Sequence, residues 1–155
     1  MKHIQAGWLV SSLFLSALWG YAAEFARGAD VGWLSEMEDD GYAFYDDSGN
    51  SADVLQILKD HSINSIRYRV WVNPTDGYCN KEDVIQQAVR ADSMGFWIMI
   101  DFHYSDTWAD PGKQYVPAAW TDTSIGALTK NVYNYTREVL NALDSANVTP
   151  EWVQV

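Results

Sequence analysis

The sequence is poor in cysteine and in basic residues, and each shortage excludes whole classes of protein. A single cysteine among 155 residues excludes an intramolecular disulfide, a cysteine-rich zinc site and an iron–sulfur cluster. Only 10 basic residues stand against 21 acidic ones, for a formal net charge of −11, so no basic surface is available to neutralise the phosphates of a nucleic acid. The glycine-rich motifs G-x-G-x-x-G and G-x-x-x-x-G-K-[ST] are also missing, which leaves a nucleotide-binding sheet without support.

The chain is also short for some folds, but it is rich in aromatic residues. A complete (β/α)8 barrel needs about 250 residues, so this chain cannot close one by itself. Its 48% hydrophobic and 20% charged residues are typical of a globular domain. Eight tryptophans and nine tyrosines provide large apolar faces with polar edges, a combination that suits the binding of sugar rings.

Residues 1–22 have the pattern of a secretory signal peptide. The first three residues are weakly basic, residues 6–23 carry no charge, and Gly20 and Ala22 place small residues at the cleavage site. We therefore predict that the mature chain, residues 23–155, is secreted or periplasmic and has no contact with a membrane after cleavage. A retained membrane anchor is the alternative, because an uncharged stretch of this length approaches that of a membrane span.

The rest of the sequence alternates between strand and helix patterns. Strands are predicted at 28–34, 66–72, 96–102 and 152–155, and helices at 54–58, 81–94 and 125–146. The third strand is almost wholly apolar, as expected for a strand buried on both faces, and the fourth is predicted to be buried as well. The order β-α-β-α-β-α-β predicts an α/β fold with a parallel sheet and right-handed crossovers.

Two α/β architectures fit this order, an open doubly wound sheet and the first half of a (β/α)8 barrel. The connections that follow strands are long, at residues 72–80 and 103–122, whereas those that lead from helix to strand are short. Barrel active sites are built from the loops that follow strands. The loop lengths therefore favour the N-terminal half of a parallel (β/α)8 TIM barrel, with about four strands and three helices over residues 23–155.

The second predicted strand places polar side chains on one face. Ser65, Arg67, Arg69 and Trp71 share one parity, and two buried arginines are costly unless each meets a carboxylate or solvent. We interpret this face as a polar strand interior that opens toward an active site, where arginine can lower the pKa of a carboxyl group. The alternative is an arginine at a strand end that pairs with a surface acid.

The segment after the third strand, residues 101–111, concentrates carboxylates, an imidazole and aromatic rings. Asp101 and His103 share a parity and are predicted to face the same side. At the C-terminal end of a barrel strand, this mixture is typical of a binding and catalytic loop. The alternative is a structural loop in which Asp106 and Asp110 form turns and His103 is a buried histidine with its hydrogen bonds satisfied. No spacing of ligands in the segment predicts a metal site.

Two of these segments carry a resemblance to a known family. Residues 64–74 (NSIRYRVWVNP) resemble the second-strand motif of glycoside hydrolase family 53, the endo-β-1,4-galactanases. Residues 101–111 (DFHYSDTWADP) are similar to the third-strand motif of that family almost letter for letter. Residues 28–31 resemble its first strand, and residues 152–155 resemble the approach to its fourth. The resemblance therefore extends over nearly all of the chain after the predicted signal peptide.

The resemblance implies a (β/α)8 barrel and a retaining mechanism. In such a mechanism one glutamate protonates the leaving oxygen and a second attacks the anomeric carbon. Both glutamates of the family lie at the ends of later strands, so they are expected after Val155, and this chain alone is expected to be inactive. The resemblance implies no cofactor for this segment, and it allows a calcium ion only in loops of the half barrel that follows.

The resemblance also implies roles for residues of the half site that is present. Arg67 and His103 would support catalysis, Arg67 by keeping the nucleophile ionised. The remaining matched residues would bind substrate, and among them Trp108, in the third-strand loop, would stack on a sugar ring. These residues are Arg69, Trp71, Asp101, Tyr104, Asp106, Trp108 and Asp110.

Three functions fit the sequence. The first is the N-terminal part of a secreted, retaining endo-β-1,4-galactanase that hydrolyses galactan side chains of pectin and is a monomer at full length. The second is a hydrolase with the same barrel that acts on another β-linked polysaccharide, such as mannan or cellulose. The third is a non-catalytic, secreted carbohydrate-binding protein, which the missing glutamates and the aromatic content would suit.

Overall fold

One parallel sheet organises the structure, a computed structural model that describes residues 25–155. The predicted signal peptide lies outside the described residues. The strands pair in the order β1-β2-β3-β4, all in parallel. Their bounds are β1 (Gly28–Asp30), β2 (Ser65–Val70), β3 (Trp97–Phe102) and β4 (Trp152–Gln154). The parallel sheet predicted from the alternation of elements is therefore confirmed.

Four helices connect the strands, and side-chain caps define where the three longer ones begin. Their bounds are α1 (Leu34–Asp39), α2 (Val54–Asp60), α3 (Lys81–Ser93) and α4 (Ile125–Ser145). Asp53, Asn80 and Ser124 cap α2, α3 and α4 by accepting backbone N–H groups of the first turn. Such caps satisfy donors that have no partner within the helix.

The core lies between the sheet and the helices. On β2, Ile66, Tyr68 and Val70 point to this side, and on β3 the matching positions are Ile98 and Ile100. All five are at most 2% exposed. Because side chains alternate across a strand, the intervening positions of β2 and β3 face the other side of the sheet, where the polar residues lie.

The sheet order distinguishes between the two architectures that the sequence left open. In a doubly wound sheet the strand order reverses at a switch point, whereas here each strand pairs with its neighbour in sequence from β1 to β4. A steady progression of parallel strands and helices is the pattern of the first part of a (β/α)8 barrel.

Two elements differ from the sequence prediction. The short helix α1 was not predicted, because six residues are too few to show a helical period, and it shortens the first predicted strand to Gly28–Asp30. The predicted burial of the fourth strand was wrong: Trp152 is 39% exposed and Val153 is 44% exposed. Within residues 25–155, β4 pairs only with β3, so its other edge has no neighbouring strand.

Candidate active site

The C-terminal ends of β1, β2 and β3 bring charged side chains together. Asp30 comes from β1, Arg67 and Arg69 from β2, and Asp101 from β3, and His103 follows β3 directly. The register places Asp30 opposite Arg67 and Arg69 opposite Asp101. Beside them, the loops after β3 enclose a cleft of about 560 Å³ with several aromatic rings in its walls.

Both arginines meet carboxylates. The guanidinium of Arg67 donates hydrogen bonds to Oδ2 of Asp30 and to Oδ2 of Asp101, and so bridges three strands. The Arg69 guanidinium donates to the other oxygen of Asp30 at 2.8 Å. Two charges of each sign therefore balance within the set, which offsets the cost of removing them from water.

Hydrogen bonds fix the tautomer of His103. Its Nδ1 accepts from the indole N–H of Trp71 at 3.0 Å and from the backbone N–H of Ala109 at 3.2 Å. Because these two groups can only donate, Nδ1 carries no proton, and the proton on Nε2 is donated to Asp101 at 3.0 Å. His103 is therefore a fixed link between Asp101, Trp71 and the loop after β3.

Arg69 is held against two tryptophans as well as by Asp30. Its guanidinium carbon lies 4.0 Å from the ring centroid of Trp33 and 4.9 Å from that of Trp108. The two indoles stack with centroids 5.8 Å apart and planes 20° apart. Guanidinium groups favour the faces of aromatic rings, so Arg69, which is only 3% exposed, fixes the position of both indoles.

The third-strand loop is held in place by its own aspartates. Asp106 accepts the backbone N–H of Asn73 at 3.0 Å and that of Ala118 at 2.8 Å, so it ties the loop after β2 to two points of the loop after β3. Asp110 accepts the N–H of Gly112 at 2.7 Å within a turn, and its side chain still lines the cleft. Asp106 thus serves the structural role that the sequence left open, and Asp110 combines a turn with a place in the cleft wall.

Tyr104 and Trp71 complete the placement of the predicted residues. Tyr104 lines the cleft, stacks on Phe102 with centroids 5.4 Å apart, and shares a hydrogen bond of 2.8 Å with the Thr136 hydroxyl. The indole of Trp71 is engaged by His103. The structure therefore places Arg67, Asp101, His103, Tyr104, Trp108 and Asp110 around one cleft, with Arg69, Trp71 and Asp106 behind them.

Sequence reasoning assigned no role to Asp30 or Trp33. Asp30 was visible as a single acid in an apolar segment, and a charge in such a place needs a buried partner. Trp33 gave no such signal, because exposed and buried tryptophans look alike in a sequence. Cys79 is buried beneath the same loops, where burial raises the pKa of its thiol to about 12, and the S–H donates to the carbonyl of Gly32.

Within residues 25–155, no group of three or more His, Cys, Asp or Glu side chains is arranged to hold a metal ion. In the same part of the chain, no helix has both the length and the apolar character needed to span a bilayer.

Fold and site together define the N-terminal part of a (β/α)8 barrel with a charged, aromatic cleft at the C-terminal ends of its strands. The sequence profile of glycosyl hydrolase family 53 matches residues 26–155. The chain belongs to this family.

Similar proteins agree with that assignment. Arabinogalactan endo-β-1,4-galactanase A of Emericella nidulans is 42% identical over 86% of this chain and 38% of its own length. Among solved structures, the GH53 catalytic domain of Ignisphaera aggregans matches with a TM-score of 0.80 and 38% identity, over 88% of this chain and 40% of that one. A fungal β-1,4-galactanase matches with a TM-score of 0.79 and 41% identity, over 83% and 38%. The chain thus spans about two fifths of the length of these relatives.

Proposed function

We propose that this chain is the N-terminal part of the catalytic barrel of a secreted, retaining endo-β-1,4-galactanase that hydrolyses galactan side chains of pectin. The observation that carries the proposal is the linked set Asp30–Arg67–Asp101–His103 at the strand ends, beside an aromatic cleft. Barrel enzymes bind their substrates at this end. The names of family relatives support galactan as the polymer.

In the proposed mechanism, Arg67 acts on a nucleophile contributed by the rest of the barrel. A retaining glycosidase needs two carboxyl groups about 5–5.5 Å apart, one ionised and one protonated. The Arg67 side chain is 29% exposed and lines the cleft. A permanent positive charge near the nucleophile favours its ionised form. Asp30 and Asp101 hold the guanidinium in place, and His103 holds Asp101.

The substrate-binding roles divide between residues that face the cleft and residues behind it. Trp108, Tyr104 and Asp110 line the cleft and would contact galactosyl units, the first by stacking. Arg69 and Asp106 are buried or engaged by backbone groups, so they would support the sugar-binding surface from behind. In this proposal residues 1–22 direct export, and the full-length protein acts outside the cell as a monomer.

The test uses the full-length protein. We expect it to cleave β-1,4-galactan and to leave mannan and cellulose intact. NMR of the first products should show the β-anomer, because retention of configuration follows from a covalent intermediate. Initial formation of the α-anomer would refute the retaining mechanism, and preference for mannan or cellulose would refute the substrate. N-terminal sequencing of the exported protein should begin at residue 23.

A further inference from the structure

We propose that Trp33 forms an additional sugar-binding subsite, which takes one galactosyl unit of the polymer at the outer rim of the cleft. This inference rests on the proposed galactanase function, because it assigns a second sugar contact to the same substrate. Trp33 lies in the connection between β1 and α1, directly before α1. It is therefore at the same C-terminal end of the strands as the charged residues Arg67 and Asp101.

The first argument is exposure. Trp33 is 46% exposed, more than Trp108 at 36%. Indole is one of the largest apolar side-chain groups, so this exposure leaves a large apolar surface in contact with water. Contiguous exposed apolar surface marks ligand-binding grooves and interaction sites, and the stacked indoles of Trp33 and Trp108 form such a surface. Aromatic rings with a wet edge are enriched where a partner provides both apolar and polar groups.

The second argument is rigidity. The stacked pair of Trp33 and Trp108 is fixed by the buried Arg69 guanidinium, which lies against both rings. Arg69 can take this place because residue 32 is glycine: a Cβ there would lie 2.5 Å from Nε of Arg69. A ring held in advance loses little conformational entropy when a ligand binds. The exposed indole is therefore preorganised.

The third argument is the groove next to the ring. Trp33 lines a groove of about 270 Å³ together with Pro74, Tyr78 and the carboxylates of Glu36 and Asp76. This volume is just below the range of sites for drug-sized ligands, which suits a single sugar unit. Carboxylates accept hydrogen bonds from hydroxyl groups, so the groove offers an apolar face and polar acceptors to one pyranose ring.

The groove lies beside the proposed substrate path. Trp108 lines the main cleft and Trp33 lines the smaller groove, so the stacked pair forms the wall that both share. A polymer that passes over this wall would meet Trp108 first and Trp33 next. Trp33 would then contribute to the binding of long chains and contribute nothing to chains too short to reach it.

The test compares Trp33→Ala, Trp33→Phe and Tyr133→Ala in the full-length protein. Tyr133 is the matched control, since it is also exposed and lies under an arginine, Arg137, but on the outer side of α4. KM and kcat are measured on β-1,4-galacto-oligosaccharides of increasing length. For long substrates we expect Trp33→Ala to raise KM about tenfold, which corresponds to about 1.4 kcal/mol, with a smaller rise in Trp33→Phe and none in Tyr133→Ala.

Chain length separates this proposal from a merely structural role. The rise in KM of Trp33→Ala should be markedly larger for long substrates than for the shortest cleaved substrate, whereas loss of a ring that only supports Trp108 would act on both alike. Equal losses on short and long substrates, or no loss on either, would overturn the subsite.

If the wild-type protein cleaves no galactan, the proposed function fails. Quenching of tryptophan fluorescence by galacto-oligosaccharide that is present in wild type and lost in Trp33→Phe would then support the subsite, and unchanged quenching would overturn it.

Discussion

At the scale of single residues, two guanidinium groups share one carboxylate. Asp30 accepts from Arg67 with one oxygen and from Arg69 with the other. Its negative charge offsets the repulsion between the two guanidinium groups, which therefore lie side by side. They nevertheless differ in surroundings. Arg67 continues to Asp101 and faces the cleft, whereas Arg69 is covered by indole rings.

Replacement of Arg67 by lysine tests the role proposed for it. A lysine ammonium is a point charge that cannot hold two carboxylates in a planar fork, so in the full-length enzyme we expect Arg67→Lys to lower kcat by about tenfold or more while KM changes little. The acidic limb of the kcat/KM profile should move toward neutrality, because the nucleophile is less stabilised in its ionised form.

The matched control for that measurement is Arg137→Lys. Arg137 lies on the outer side of α4 against Tyr133, away from the cleft, and the variant should keep wild-type kinetics. Wild-type kcat and an unmoved acidic limb in Arg67→Lys would show that Arg67 is a structural arginine.

Gly32 is a second residue whose identity is dictated by a neighbour. A Cβ at position 32 would lie 2.5 Å from Nε and 2.6 Å from Nη2 of Arg69, which is buried and held in place by Asp30 and two indole rings. Gly32→Ala should therefore lower the free energy of unfolding by about 1–3 kcal/mol, measured by urea denaturation of the full-length protein.

Gly126→Ala provides the comparison for Gly32→Ala. A Cβ at Gly126 in the first turn of α4 meets nothing within 4 Å, and alanine favours helix over glycine by up to about 1 kcal/mol. This variant should be as stable as wild type or more so. Equal stability of the two variants would contradict the account of Arg69.

The sequence predicted which residues form the site better than it predicted what each one does. Arg67, Asp101, His103 and Trp108 were predicted together because strand parity and loop position constrain them. The use of both Asp106 oxygens by Asn73 and Ala118 could not be predicted, since it depends on how the loops after β2 and β3 pack together. The pairing of Trp33 with Trp108 depends on the same long-range geometry.

At the scale of elements, helix caps define the starts of α2 and α4 by different chemistry. Asp53 caps α2 through Leu55 N–H at 2.7 Å and also pairs with Arg90 at 2.6 Å. Ser124 caps α4 with a hydroxyl. Burial raises the pKa of Asp53, but the Arg90 ion pair and the helix N–H groups outweigh it, so the pKa is held below its usual value.

This difference predicts how each cap responds to pH. Asp53 has a lower pKa in the folded state, so its stabilisation is present above its unfolded pKa of about 3.9 and is lost as the pH falls through the folded value. Asp53→Ala should cost about 1 kcal/mol at pH 7, and its deficit should shrink below about pH 4. Ser124→Ala should cost about 1 kcal/mol at both pH values, because a hydroxyl does not titrate.

Thermal melts of the two cap variants between neutral and acidic pH provide the measurement. Parallel pH dependence of the two deficits would contradict the ionic contribution of Asp53.

Both helices were predicted from apolar periodicity, which reports the buried face of an element. The helix α1 carries one buried residue, Leu34, and so offered no period to recognise.

At the scale of the whole molecule, the sheet has two open edges, β1 and β4, within residues 25–155. An exposed strand edge is a template for pairing with another chain. The 155-residue chain expressed alone should therefore aggregate, bind a hydrophobic dye and fail to hydrolyse galactan, as sedimentation velocity and activity assays would show. A soluble monomer with galactanase activity would contradict this prediction.

A charge on the open edge should reduce that aggregation. Val153 is 44% exposed on β4, so Val153→Lys places a charge where edge pairing would occur. Ile125 is 86% exposed but begins α4, so Ile125→Lys removes a similar apolar group away from any edge and should leave the aggregate size unchanged.

The sheet order described above also bears on how the protein is made. Each strand pairs with the strand before it in the sequence, through a crossover that has already been synthesised. The entropic cost of loop closure grows with the length of the loop, so pairing with the preceding strand costs less than pairing with a more distant one, and domains that emerge first fold first during synthesis. A chain that folds from its N-terminus can therefore add β2 to β1, β3 to β2 and β4 to β3 in the order of synthesis, so that Arg67 can pair with Asp30 before β4 takes its place.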